Sequence, residues 1–144
     1  MGTNYYSVKR GIETLGPDDF WERKDKSEMG ESDDVLHIGK SSGGWCFSLH
    51  VIPERGIHDL YDWISIFIDP ERVMIDEYMT PVSLLQIMST ITARHRLERC
   101  GWSAKDYESN YAEPGPNNLV RHTPGMGCVK QGAGTWDCIT GSFS

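Results

Sequence analysis

The run VLHIGKSSGGWCFSLHV, residues 35–51, carries the strongest evidence for the fold. Two stretches with strand character, Val35–Ile38 and Trp45–Val51, flank the glycine- and serine-rich run Gly39–Gly44. In the second stretch apolar and polar residues alternate, which is the period of a strand with one apolar face. We predict that a flexible Gly/Ser loop joins the two stretches in a β-hairpin, which ends at Pro53 because proline cannot donate to a ladder.

Apolar residues at helical spacing mark two segments downstream of the hairpin. Residues 56–68 carry such a stripe, and Asp69-Pro70 ends it because proline disfavours helical geometry in the residue before it. The second predicted helix has Thr80 as its N-cap and Pro81 at its first position. Gly101 is its predicted C-cap.

Three further segments favour strands, and the order of the elements indicates the fold class. These segments are residues 72–78, 119–121 and 135–140. Strands and helices then follow one another without regular βαβ alternation. We therefore predict an α+β fold, with a small, mostly antiparallel sheet and two helices packed on it. The length of 144 residues predicts a single domain over residues 1–144.

Negative charge is concentrated near the N-terminus. The chain carries −7, and residues 13–34 hold nine acids against three bases, a net −6. No basic footprint for phosphates is present, so we expect no direct binding of nucleic acid. The acidic segment, about residues 7–34, is interpreted either as a solvated loop or short helix, or as a surface for a basic partner. The residues of that candidate surface are Asp18, Asp19, Glu22, Asp25, Glu28, Glu31, Asp33 and Asp34.

The compartment and the chemistry are constrained by what the sequence lacks. No apolar run approaches the roughly 20 residues that span a bilayer, and no secretory signal is recognisable, so we expect a cytosolic protein without membrane contact. The cysteines form no CxxC pair, and we predict no metal and no cofactor. Cys46 with His37 or His50 is the one local nucleophile–base pairing, and no third member accompanies it. We therefore assign no catalytic residue.

The run Gly39–Gly44 is a candidate ligand loop. It fails the spacing of a phosphate loop, because Asp34 occupies the place of the first glycine. A loop of small residues with one lysine can still hold an anion through backbone N–H groups. The alternative is a hairpin turn with an exposed lysine. The candidate ligand residues are His37, Lys40, Ser41, Ser42, Trp45 and His50.

Three blocks together resemble a family of small proteins from tailed bacteriophages. They are MGTNYY at residues 1–6, HIGKSSGGWCF at residues 37–47, and GTWD at residues 134–137 followed by the terminal GSFS. The resemblance implies a phage-encoded accessory protein that acts in the cytoplasm of the bacterial host. Members of that family carry a Cys-x-x-Cys-Gly segment that suggests a zinc knuckle including the residue matching His37. Residues 7–34 contain no cysteine here, so that feature is not carried over.

Two functions from different classes follow as hypotheses. The leading one is a non-enzymatic phage protein that binds and inhibits a host macromolecule, as a counter-defence inhibitor. Its partner would be a host protein, for example a nucleic-acid-binding component of a defence system, held by the acidic surface. The alternative is a small-ligand protein or enzyme that holds a nucleotide or phosphate on the Gly39–Gly44 loop. A structural role in the virion is a third possibility.

Overall fold

The computed structural model describes residues 2–42, 47–92, 112–114, 120–122, 128–131, 136–141 and 143. Its helices are α1 (Pro17–Glu28), α2 (Leu60–Phe67) and α3 (Leu84–Thr92). Its strands are β1 (Gly2–Lys9), β2 (Val35–Ser42), β3 (Phe47–His50), β4 (Arg72–Asp76), β5 (Pro81–Val82), β6 (Ala112–Pro114), β7 (Val120–His122), β8 (Cys128–Gln131) and β9 (Trp136–Ile139). None of these helices is long and apolar enough to cross a membrane.

The described strands form one large mixed sheet and a separate β6–β7 pair. The order in the large sheet is β5-β4-β1-β2-β3-β9-β8, and only β3 and β9 run parallel to each other. The prediction of an α+β fold with a mostly antiparallel sheet is therefore confirmed. The predicted hairpin is also confirmed as the antiparallel pair β2–β3. The N-terminal strand β1, which lies inside the sheet between β4 and β2, was not predicted.

Helices cover both faces of the sheet. On one face Ile38 and Leu49 pack with Trp63 of α2 and with Ile87 and Ile91 of α3. The opposite face carries a second cluster, made of Tyr6, Val8, Ile12, Phe20, Val35 and Ile75. Neighbouring residues of a strand point to opposite faces, so a strand buried on both sides shows no simple alternation of apolar and polar residues. That is why β1 gave no strand signal.

The number of helices was predicted wrongly, since α1 lies within the acidic segment. Phe20 and Ser27 are its only buried residues, and the remaining ten are partly or fully exposed. An apolar stripe this narrow gives almost no helical periodicity. Pro17 at the first position and Asp18 and Asp19 in the first turn suit the N-terminus of a helix. The segment is thus an integral layer of the fold.

The two predicted helices exist, but both begin later than expected. Asp59 is the N-cap of α2, and its Oδ1 accepts the backbone N–H of Asp62 at 3.0 Å. In α3 the cap is Ser83, which exchanges reciprocal hydrogen bonds with Gln86. The predicted N-cap Thr80 is wrong because the residues after it pair with β4 as β5. The predicted C-cap Gly101 lies outside the described residues.

Candidate functional site

Two histidines of the β2–β3 hairpin lie side by side on the face that α1 covers. The Nδ1 atoms of His37 and His50 are 3.2 Å apart. Asn4 of β1 places its Oδ1 atom 2.9 Å from Nε2 of His37. The ring of Phe143 packs edge-on against both imidazoles, with centroids 4.8 and 5.0 Å away. Trp63 donates its Nε1–H to the carbonyl oxygen of His50 at 2.7 Å, so α2 holds the end of β3 from the other side.

The contacts of the histidine pair determine where its protons lie. Since the amide oxygen of Asn4 accepts, Nε2 of His37 carries a hydrogen. In a neutral ring Nδ1 of His37 is then an acceptor, and His50 donates to it from its own Nδ1.

Burial keeps both rings neutral at neutral pH. Desolvation is the main cause that lowers the pKa of His37 to about 3, and the neighbouring His50 lowers it further. Desolvation is also the main cause that lowers the pKa of His50. The backbone carbonyls of His37 and Gly141 and the carboxylates of Glu54 and Glu28 raise this pKa, but by less. The pair is therefore a hydrogen-bonding unit without formal charge.

A cavity of about 450 Å³ opens beside the histidine pair. Its wall comes from the C-terminal end of α1, the start of β2, residues 50–55 and Thr140–Gly141. Arg55 closes one side, because its guanidinium donates to the carbonyl oxygens of Ser27, at 3.3 Å, and of Ser32. The site thus joins four separate parts of the chain.

The predicted loop conformation is wrong for residues 39–42. These residues belong to β2. Strand β1 pairs with all four of them, and β3 pairs with Gly39 and Lys40 on the other side. Backbone N–H groups used in ladders are not available to a phosphate. Lys40 and Ser41 lie outside the cavity wall, and Trp45 lies outside the described residues. A role of these residues in ligand binding stays a prediction.

The candidate acidic surface divides into two sets. Lys9 pairs with Asp33 at 2.7 Å and with Asp34 at 3.5 Å, and this contact lowers the pKa of Asp33. Arg23 also binds Asp34, and Glu22 and Glu28 each pair with a lysine four residues away. Within the described residues, ion pairs are absent for Asp18, Asp19, Asp25 and Glu31. In the first set Asp33 and Asp34 connect the segment to β1 through Lys9, and Glu22 and Glu28 pair within α1. The second set has no such partner in the described part of the chain.

Several residues of the site were not predicted. Glu54 and Arg55 lie in the turn that follows β3. Asn4, Thr140 and Phe143 approach the histidine pair or its cavity only because distant parts of the chain become neighbours. No local spacing links them, so no pattern in the sequence would have found them. Among the residues whose side chains are described, no three His, Cys, Asp or Glu residues are grouped to hold a metal ion.

Comparisons with protein-family models, curated proteins and solved structures found no match to the chain. The assignment of a function therefore depends on the geometry of the site.

Proposed function

We propose that the protein binds a small polar molecule in the cavity beside His37 and His50. The observation that supports this proposal is the cavity itself, which is about 450 Å³ in volume and has two neutral imidazoles in its wall. Ligand pockets of proteins are typically about 300–1,000 Å³ and combine apolar walls with a few fixed polar groups.

The polar groups of this wall are held in place before a ligand arrives. Asn4 and Phe143 fix the ring of His37, and backbone carbonyls hold Arg55. Groups that are already ordered lose little conformational entropy on binding, which favours affinity. The same order favours specificity, because a rigid acceptor accepts a donor from one direction only.

The proposal is one of binding without catalysis. Ser27 is the serine of the described cavity wall, and its hydroxyl already donates to the carbonyl of Arg23 and accepts from the backbone N–H of Val35. It is therefore not positioned as a nucleophile activated by the histidine pair. The tautomer likewise directs one Nδ1–H of the pair inward, between the two rings.

A variant that fills the cavity should abolish binding of small molecules. Thr140 is exposed at the cavity wall, so Thr140→Trp places an indole in the opening without disturbing the core. We expect at least one compound from a panel of nucleoside monophosphates, amino acids and aliphatic amines to raise the Tm of the wild type. The same compound should leave the Tm of Thr140→Trp unchanged in thermal-shift measurements.

Ser65→Trp is the matched control, because Ser65 is an exposed residue of α2, on the opposite face of the sheet. This variant should respond to the compound as the wild type does. A panel without any stabilising compound, or an equal response of Thr140→Trp, would contradict the proposal.

A second candidate function is the binding of a basic host protein through the outer face of α1. The specific observation is that Trp21, 43% exposed, lies on the same helix as the outward acids Asp18, Asp19 and Asp25. Aromatic residues are enriched at protein interfaces, and a surface of one charge steers a partner of the opposite charge. A phage-encoded inhibitor acting on a nucleic-acid-binding host protein would use such a face.

Reversing outward charges tests this second candidate. In Asp25→Lys/Glu31→Lys, neither altered residue belongs to an ion pair of the described part of the chain, so folding should be unaffected. If the face binds a basic partner, this variant should lose that partner in affinity purification from phage-infected lysate read by mass spectrometry. Glu71→Lys, at an exposed site between α2 and β4, should retain it. Equal recovery with all three proteins would exclude the acidic face as the binding surface.

A further inference from the structure

Asn4 connects the histidine pair to β1, and its own backbone lies beyond the end of a strand ladder. Its side chain is buried, and Oδ1 lies 2.9 Å from Nε2 of His37. The pairing of β1 with β4 stops at Tyr5, opposite Asp76, so this ladder does not reach Asn4. Among the described strands, β2 alone pairs with Asn4, through Lys40. The backbone N–H of Asn4 therefore needs a partner from outside the β1–β4 ladder.

The carboxylate of Glu77 is that partner. Its Oε1 accepts the backbone N–H of Asn4 at 2.9 Å, although the two residues are 73 positions apart in the sequence. A hydrogen bond to a carboxylate is stronger than one between two neutral groups. The turn that carries Glu77 is itself ordered, since Oδ1 of Asp76 accepts the N–H groups of Tyr78 at 2.9 Å and of Thr80 at 3.0 Å. The end of β4 thus holds the start of β1 in place through one side chain.

A second contact brings Glu77 close to the same part of the site. Tyr6 pairs with His37 across β1 and β2, and the centroids of their rings are 5.4 Å apart. Burial raises the pKa of Tyr6 to about 12, and the nearby carboxylate of Glu77 contributes to that increase. Glu77 therefore acts on two β1 residues that contact His37, although it lies outside the cavity wall.

We infer that Glu77 is a positioning residue of the cavity: it holds the backbone of Asn4 and thereby fixes the ring of His37 and, through His37, that of His50. The inference rests on the proposed function, because the two imidazoles are polar groups of the wall against which the ligand is placed. Glu77 itself contributes no group to that wall. Its removal leaves a buried N–H of Asn4 unpaired, and the strand start can shift to find another partner.

Nuclear magnetic resonance of the isotope-labelled protein at neutral pH tests the inference without a ligand. The ring-nitrogen shifts distinguish the two neutral tautomers of His37, and saturation transfer from water gives the exchange rate of its ring N–H. We expect a single tautomer in the wild type. In Glu77→Ala the ring N–H should exchange about tenfold faster, as expected for the loss of one hydrogen bond to a carboxylate. Glu77→Gln keeps an acceptor oxygen and should restore the wild-type signals.

The control must separate a local effect from a general loss of stability. Trp63 donates its Nε1–H to the carbonyl oxygen of His50 from the other side of the sheet, so its exchange rate is an internal reference in the same spectrum. This rate should stay unchanged in Glu77→Ala. Glu71→Ala, at an exposed acid before β4, should leave both rates unchanged. Equal acceleration at Trp63 and His37 in Glu77→Ala, or unchanged signals of His37, would overturn the inference.

A double variant tests whether Glu77 acts through Asn4. Asn4→Ala removes the amide that contacts His37 and should release the ring by itself. Adding Glu77→Ala to Asn4→Ala should then produce no further acceleration relative to Trp63, because the two changes interrupt one route. A further acceleration would show that Glu77 acts on His37 by another route, against the inference.

The inference and the proposed function fail separately. If Glu77→Ala releases His37 but no compound of the thermal-shift panel stabilises the wild type, the positioning role stands and the binding function fails. If a compound stabilises the wild type and Glu77→Ala leaves the signals of His37 unchanged, the binding function stands and the positioning role is wrong.

Discussion

Gly39→Ala is expected to destabilise the protein by about 4 kcal/mol or more, which is in the exceptional range for one substitution. Gly39 has φ of 155° and lies at an irregularity of the β1–β2 ladder, where Tyr5 pairs with Gly39 but Tyr6 pairs with His37. A Cβ atom at this position would lie well inside contact distance of the Ser48 carbonyl oxygen and 2.6 Å from Cε1 of Phe47. Neither neighbour has space to move, because Phe47 is buried and Ser48 belongs to β3.

Urea unfolding followed by circular dichroism measures this effect. Gly16→Ala is the matched control, since Gly16 has φ of −67° and a Cβ atom added there would meet no other atom within 4 Å. That variant should stay within about 1 kcal/mol of the wild type. A loss below about 1 kcal/mol for Gly39→Ala would mean that the close approach of β2 and β3 at this glycine is wrong.

The second large effect is loss of stability in mild acid. The pKa of His37 is lowered to about 3 in the folded protein, against an ordinary value of 6.5, and the pKa of His50 is also lowered. Between these values the unfolded chain binds protons that the folded protein does not, so the free energy of unfolding falls as pH falls. For His37 the stability is at its full value above pH 6.5 and is lost toward pH 3, with a slope that approaches about 1.4 kcal/mol per pH unit. His50 acts in the same direction.

Urea unfolding at several pH values between about 7 and 4.5 gives this slope. His37→Gln should flatten it, because glutamine does not titrate. His58→Gln is the control, since His58 is exposed just before α2, and it should retain the wild-type slope. The ion-paired Asp33 also loses stabilisation in acid, but only below its ordinary pKa of 3.8, outside this window. An unchanged slope in His37→Gln would contradict burial of a neutral His37.

The histidine pair shows how far local patterns reach in this protein. The alternation around Phe47 and Leu49 predicted β3, and it placed His50 on the face opposite to those core residues. Pairing of the two hairpin strands brings His37 and His50 together. Both residues were among the candidate ligand residues named from the sequence. The protonation of the pair was beyond prediction, because it depends on Asn4, which is 33 residues from His37.

The run after His37 shows where the same reasoning failed. Glycine and serine at residues 39–42 are typical of a loop, yet these residues continue β2. The neighbouring strand β1 pairs with β2 from Val35 to Ser42, and that pairing outweighs the local preference of small residues. Gly39 is required there for the close approach of β3 and not for a turn.

Apolar periodicity within a few residues was enough to establish the α+β class, the β2–β3 hairpin and the existence of α2 and α3. Only the folded chain shows how α1 of the acidic segment packs, that β1 lies between β4 and β2, and that a cavity forms. Each of these depends on residues far apart in the sequence. Phe20 packs against Tyr6, β1 pairs with both β2 and β4, and Thr140 shares the cavity wall with the end of α1. Such contacts arise from the order of strands in the sheet, which no local pattern records.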